Sequence, residues 1–246
     1  MDRMLYVAMT GARQILHAQS LNNQNLANVS TTGFRRDLAA FNSQPVVGEG
    51  LPTRVYAMAE RAGVDTTPGQ ISTTGRELDV AVDGEGWIGV QAPDGKAAYT
   101  RAGDLRLTTN GMLTTGTGLP VLGNSGPIAI PPADKIAIGN DGTISIVPQG
   151  GQSATLVEVD RIRLVKSDSR QLEKDRFGLM RQQNGQPAPQ DASVRLVAGA
   201  LEGSNVNTAD ALVNMIGLAR QFELQIKMMN TASDNASATN QLLRLE

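Results

Sequence analysis

The residues that could carry chemistry are few. Gly84-Glu85-Gly86-Trp87-Ile88-Gly89 is a literal G-x-G-x-x-G after the apolar alternation Leu78, Val80, Val82, the place where a dinucleotide fingerprint would sit. That fingerprint needs a helix to start there so that its N-terminus faces a pyrophosphate, but Val90-Gln91-Ala92-Pro93-Asp94-Gly95 reads as a strand entering a turn. The glycines therefore read as a tight β-turn. His17 is the sole histidine, so a histidine-based triad or metal site would need partners for which no signature exists. It falls two residues after Ile15, on the flank of a helix. Asp79, Asp83 and Glu85 could look like a carboxylate cluster, yet Asp79 and Asp83 alternate with apolar strand residues and read as solvated, Glu85 sits in the turn, and the spacing fits no calcium loop.

Composition narrows the field further. With 22 Lys and Arg against 24 Asp and Glu, the formal charge is −2, which leaves no basic excess to hold a phosphate backbone. Aromatic residues make up 3%, too few for base-stacking platforms, so nucleic acid is not an expected partner. Cysteine is absent, which removes disulfides, thiolate zinc sites and thiol nucleophiles. Met1 to Ser20 lacks the cationic and apolar regions of a secretory signal, and no run approaches the roughly 18 apolar residues of a membrane span. We expect a soluble chain with no catalytic, cofactor or metal residue, no direct membrane insertion, and no use of the secretory-signal route if it leaves the cytoplasm.

The elements that would position any site are clearer. Leu5, Ala8, Ala12, Ile15, Gln19, Asn22 and Leu26 alternate three and four apart, a coiled-coil period that predicts a helix over about 3–28, with Gly33 as a stop. Leu212, Met215, Ala219, Phe222, Ile226, Met229, Ser233, Ala236, Asn240 and Leu243 repeat the device at the far end. Asn207 or Thr208 can cap this second helix, and Asp210 suits its first turn. A lone surface helix shows a broader face of period 3.6, so the strict alternation favours a helical partner over a β surface. Polar seam residues such as Asn22 lower stability but fix register.

Between the helices the period becomes two, at Leu105 and Leu107, Ile128 and Ile130, Ile136 and Ile138, Ile144 and Ile146, Val157 and Val159. Asp94-Gly95, Asn110-Gly111, Asp141-Gly142 and Asn184-Gly185 supply positive-φ turns. The expected fold is α+β: residues 1–34 and 205–246 form a terminal helical domain paired as a coiled coil. Extended arms at 35–70 and 196–204, with Pro45, Gly48, Gly50 and Pro52, lead to a mainly antiparallel β domain at 71–195.

Three stretches together resemble the flagellar rod and hook family of bacteria. They are Asn25-Leu26-Ala27-Asn28-Val29-Ser30-Thr31-Thr32-Gly33-Phe34-Arg35-Arg36; Gly69 through Val82 with Gly84, Gly86 and Tyr99-Thr100-Arg101-Ala102-Gly103; and Gly199-Ala200-Leu201-Glu202-Gly203-Ser204-Asn205-Val206-Asn207, running into Arg220-Gln221-Phe222-Glu223. The resemblance spans nearly the whole chain. Thr32 stands where the family often has Pro, and Trp87-Ile88 where two aromatics commonly follow Gly-Xaa-Gly.

The resemblance implies a structural subunit of the basal-body rod, in its proximal part, with a distal rod or hook-like protein as the alternative. An enzyme or ligand-binding β module with helical tails is the remote one. It further implies export through the flagellar type III apparatus without a cleaved signal, assembly in the periplasm, and other copies and neighbouring rod proteins as partners. In that reading the helix seams are the assembly interface, and Asn25, Asn28, Gly33, Phe34, Gly84, Gly86, Glu202, Ser204 and Asn205 are its family motif.

Overall fold

A computed structural model describes residues 4–45, 55–149, 156–168 and 171–242. Leu243, Met1, Gly48, Gly50 and Pro52 lie outside the described residues. The chain divides into two compact units: Met1–Ala27, Asp37–Gly63 and Asn207–Glu246 make the first, and Asn28–Arg36 with Val64–Val206 the second.

The first unit holds two helices, α1 (Met4–Ala27) and α2 (Thr208–Leu242), which pack against each other. It also holds β1 (Asp37–Pro45) and β2 (Val55–Val64), which form a two-stranded sheet where only an arm was expected. The Asn207 Oδ1 accepts the Ala209 and Asp210 N–H groups at 2.9 and 3.4 Å. It thereby caps α2 by satisfying amides that the helix itself cannot pair. Gly33 does not close α1, which ends at Ala27. With φ at +66° it brings backbone against backbone: a Cβ there would stand 2.2 Å from the Arg101 carbonyl carbon.

The second unit is built of short strands. A five-stranded sheet runs in the order β12 (Leu164–Val165), β5 (Trp87–Gln91), β6 (Ala97–Thr100), β14 (Met180–Gln182), β13 (Leu172–Lys174). A three-stranded sheet joins β11 (Val157–Arg161), β10 (Thr143–Pro148) and β9 (Ala133–Ile138). Three two-stranded sheets complete the unit: β7 (Leu105–Leu107) with β8 (Leu113–Thr115), β15 (Arg195–Ala198) with β4 (Val80–Asp83), and β16 (Ala200–Glu202) with β3 (Ile71–Thr73). Every residue-paired ladder in this unit is antiparallel.

Asp94-Gly95, Asn110-Gly111 and Asp141-Gly142 each join an antiparallel pair, whereas Asn184-Gly185 turns the chain after β14 without a paired strand beyond it. The region expected to be arm at 196–204 is instead taken up by β15 and β16. The core gathers Val80, Val82, Ile88, Leu105, Ile128 and Ile144, all within 1% of complete burial. A smaller cluster sets Trp87 and Tyr99 against Val165, Leu172 and Met180.

The G-x-G-x-x-G turn joins β4 to β5, with Gly84 and Gly86 at φ +73° and +146°. Gly86 leads directly into a strand, β5, which no pyrophosphate-binding turn permits. Asp79 departs from expectation: it is buried, not solvated, and accepts from Thr74 Oγ1 at 2.6 Å and from the Arg76 guanidinium. Asp83 and Glu85 are exposed.

Candidate assembly interface

Most of the fully buried positions on the face that α1 and α2 share are alanine. Ala8, Ala12, Ile15 and Ala18 are buried on α1, and Ala211 and Ala232 on α2. At Gly11 a Cβ would come within 3.1–3.2 Å of the Gln225 amide, so the glycine admits that side chain. Asn22 donates to the Ala211 carbonyl at 2.8 Å, tying the two helices. Asn25, also buried, donates from Nδ2 to the Asp37 carbonyl and accepts the Asp37 N–H, both at 2.9 Å. It thus pairs with backbone as a strand neighbour would.

Met215, Ala219, Phe222 and Met229 are half-buried, as is Leu26, whereas Leu5, Leu212 and Ile226 are exposed. The inward face of α2 runs through Ala211, Met215, Leu218, Phe222, Gln225, Met229, Ala232 and Ala236. It shares one position per heptad with the expected seam, and its other position falls one residue earlier. At two of the displaced positions size is the reason: Ala211 and the flexible Gln225 let the helices approach, and the bulkier Leu212 and Ile226 fall on the flank. Tyr6, Met9, Leu16, Val213, Ile216 and Leu224 also remain exposed at 45–68%. His17 is exposed on α1 and takes part in no described site.

The remaining motif residues converge within the second unit on a buried charge cluster. Glu202 is fully buried. Its Oε1 accepts Arg35 Nη2 at 2.5 Å and the Gly69 N–H at 2.8 Å, and its Oε2 accepts Arg101 Nη1 at 3.0 Å. The Glu202 carbonyl accepts the Gly33 N–H at 2.7 Å. Arg101 also donates to the Gly84 carbonyl at 2.7 Å, which fixes the glycine turn. Burial lowers the Arg101 pKa, against the attraction of Glu202.

Around this centre, Asn205 Oδ1 accepts the Arg36 N–H at 2.8 Å while its Nδ2 donates to the Asp65 and Thr67 carbonyls. Arg36 pairs with Asp65 at 2.8 Å. Burial raises the Asp65 carboxyl, but hydrogen bonds from Thr67 and Arg36 outweigh it and hold the group below its ordinary value. Phe34 lies 4.1 Å from the Lys174 ammonium, and Lys174 donates to the Arg35 carbonyl at 2.9 Å. Ser204 Oγ accepts the Val206 N–H, and Asn28 Oδ1 accepts from Thr31. The three chain segments nearest the unit boundaries, at Gly33–Arg36, Asp65–Gly69 and Glu202–Asn205, are thereby bound to one another.

Motif spacing singles out Glu202 but not its partners Arg35 and Arg101. One signal was available: Glu202 shares a strand face with buried Ala200, and a carboxylate at such a position needs cations.

Along its whole length the chain is 42% identical to "Flagellar basal-body rod protein FlgF" of Escherichia coli and 41% to that of Salmonella typhimurium, each covering 100% of both chains. The chain belongs to the flagellar basal-body rod protein family. A FlgG rod protein of Buchnera aphidicola is 34% identical over 97% of this chain and 98% of its own. Residues 81–146 match the family described as flagellar hook protein FlgE/F/G D1 domain, and residues 197–242 that of the flagellar basal body rod FlgEFG protein C-terminal. This rod family is structural, not enzymatic. The C-terminal match takes in Glu202, Ser204, Asn205 and the whole of α2. Among the described residues no group of three His, Asp or Glu is placed to hold a metal ion, and no helix is long and apolar enough to cross a membrane.

Proposed function

We propose that this member of the rod family is a structural subunit of the proximal rod of the bacterial flagellar basal body. It polymerises through the outward faces of its terminal helices into part of a hollow drive shaft that transmits torque and conducts exported subunits. The observation that carries the reading is the helical unit's inverted packing. Its fully buried side chains are mostly alanines, while Leu5, Leu212, Ile226 and larger neighbours stay in water, and such apolar surface is covered by further copies or by neighbouring rod proteins. The pairing of the two helices as a supercoiled coiled coil, the exposed seam residues Leu5, Leu212 and Ile226 as part of the assembly interface, and the division into helical ends, connecting segments and a β domain belong to the same proposal.

Coupling helix ordering to assembly keeps chains from polymerising before they meet, because ordering is opposed by conformational entropy until interface burial offsets it. This fits passage through the flagellar type III export apparatus with unfolded ends and assembly in the periplasm. The full-length identity to the two enterobacterial FlgF chains supports a proximal position.

Deleting the gene tests the role. Basal bodies isolated from the deletion strain are expected to show the inner-membrane ring without a rod, and intact rods with normal motility would refute it. Limited proteolysis of the monomer is expected to trim both helices and leave the β unit.

A further inference from the structure

The Glu202 cluster carries an unbalanced buried charge. Arg35 and Arg101, 2% and 3% exposed, share the single carboxylate of Glu202, so the trio holds one positive charge in excess. Glu85, which also attracts Arg101, is exposed and is the weakest influence on it. A buried charge without a counter-charge costs several kcal/mol.

The hydrogen bonds tell the same story independently. Arg35 Nε, Arg35 Nη1 and Arg101 Nε are buried and have no acceptor among the described residues. The buried side-chain atoms left without a partner in this cluster are all donors. The indole of Trp87 lies 5.9 and 5.3 Å from the two guanidinium carbons, near the outer limit for cation–π attraction, and a ring face does not supply the in-plane lone pairs that these N–H groups require.

Both arginines line a cavity of about 30 Å³, together with Trp87, Tyr99, Lys174 and Gly33. A cavity of that size takes a water-sized occupant. Excess positive charge and surplus donors select an occupant that only accepts and carries a negative charge.

We propose that this cavity is a binding site for one monatomic halide, chloride under ordinary conditions, held by Arg35 and Arg101 and completing the charge balance that Glu202 leaves open. The site lies among the chain segments bound together by Glu202 and Asn205, so occupancy stabilises the β unit by linkage. The proposal concerns the β unit alone and stands apart from the rod reading.

Trp87 is the sole tryptophan and lines the cavity, which makes bromide, a heavy-atom quencher, the natural probe. In full-length protein at constant ionic strength, with gluconate as the replaced anion, bromide is expected to quench Trp87 along a saturating curve that chloride reverses. Arg101→Lys, which keeps the charge but loses the Nε donor and the guanidinium fork that reaches Glu202 and Gly84, is expected to weaken bromide binding about tenfold. Crystals grown in bromide are expected to show an anomalous peak between Arg35 and Arg101, a measurement that holds even if the variant does not fold. Quenching that stays linear in bromide, or a cavity holding only water in those crystals, would overturn the proposal.

Discussion

The two units of this chain solve packing in opposite ways. The β unit buries its large side chains, with Ile88, Leu105, Leu113, Ile128 and Ile144 all sealed from water. The helical unit buries alanines and leaves Tyr6, Val213, Ile216 and Leu224 more than half exposed. Burial contributes roughly 25 cal/mol per Å² of apolar surface, so the first arrangement stabilises a single chain. The second leaves apolar surface uncovered on the single chain. On the proposed rod reading, one unit is finished as a monomer and the other would be finished only in an assembly.

The sharpest way to break this contrast is to charge the exposed helical face. Ile226→Asp is expected to abolish rod assembly and motility while shifting β-unit stability by no more than about 0.5 kcal/mol. Motility in soft agar and urea unfolding followed by Trp87 emission measure the two sides. A variant that swims, or one that unfolds the β unit, would erase the distinction.

Glu202→Gln probes the finished unit. Removing the carboxylate leaves two buried guanidiniums without a counter-charge, and a loss of about 3–5 kcal/mol is expected, read from the same urea transition. Arg35 and Arg101 are the reason for so large a figure.

Ala12→Leu returns to the helices from the inside. The seam admits only small residues there, so the larger side chain is expected to cost about 1–3 kcal/mol. Helical circular dichroism should fall while the Trp87 transition stays in place.

The smallest effect concerns pH. Asp94 sits on the surface in a forked pair with Arg181, whose hydrogen bonds hold its carboxyl down to about 2. A depressed folded value means that the pair's contribution is complete above the ordinary 3.8 and is lost as pH falls toward about 2. The urea midpoint of Asp94→Asn should therefore depend less on pH across that window than that of the parent protein. The size of the difference is limited by solvent screening.

Local rules account for what could be read in advance. Three-four spacing gave α1 and α2 nearly to the residue, Asn207 was legible as a cap, and Asp94-Gly95, Asn110-Gly111 and Asp141-Gly142 turn where their φ requirement says they must. The strands at 37–45 and 55–64 were not legible, because neither follows a clean period of two and each acquires its partner from the other. Asp79 was misread for a related reason: alternation assigned it to solvent, while Thr74 and Arg76 beside it made burial affordable.

The sequence by itself determined the two helices, the alternating strands in the middle of the chain, three of the tight turns, and the family to which the chain belongs, since these rest on periods, caps and motifs within short windows. Tertiary structure alone decided which side of α2 turns inward and what the motif residues do. Gly33, Arg35, Gly69, Arg101, Glu202 and Asn205 are separated by up to about 170 positions, and only folding shows that they meet. The physical reason is that a buried charge declares its partners through distance in space, which spacing along the chain does not encode.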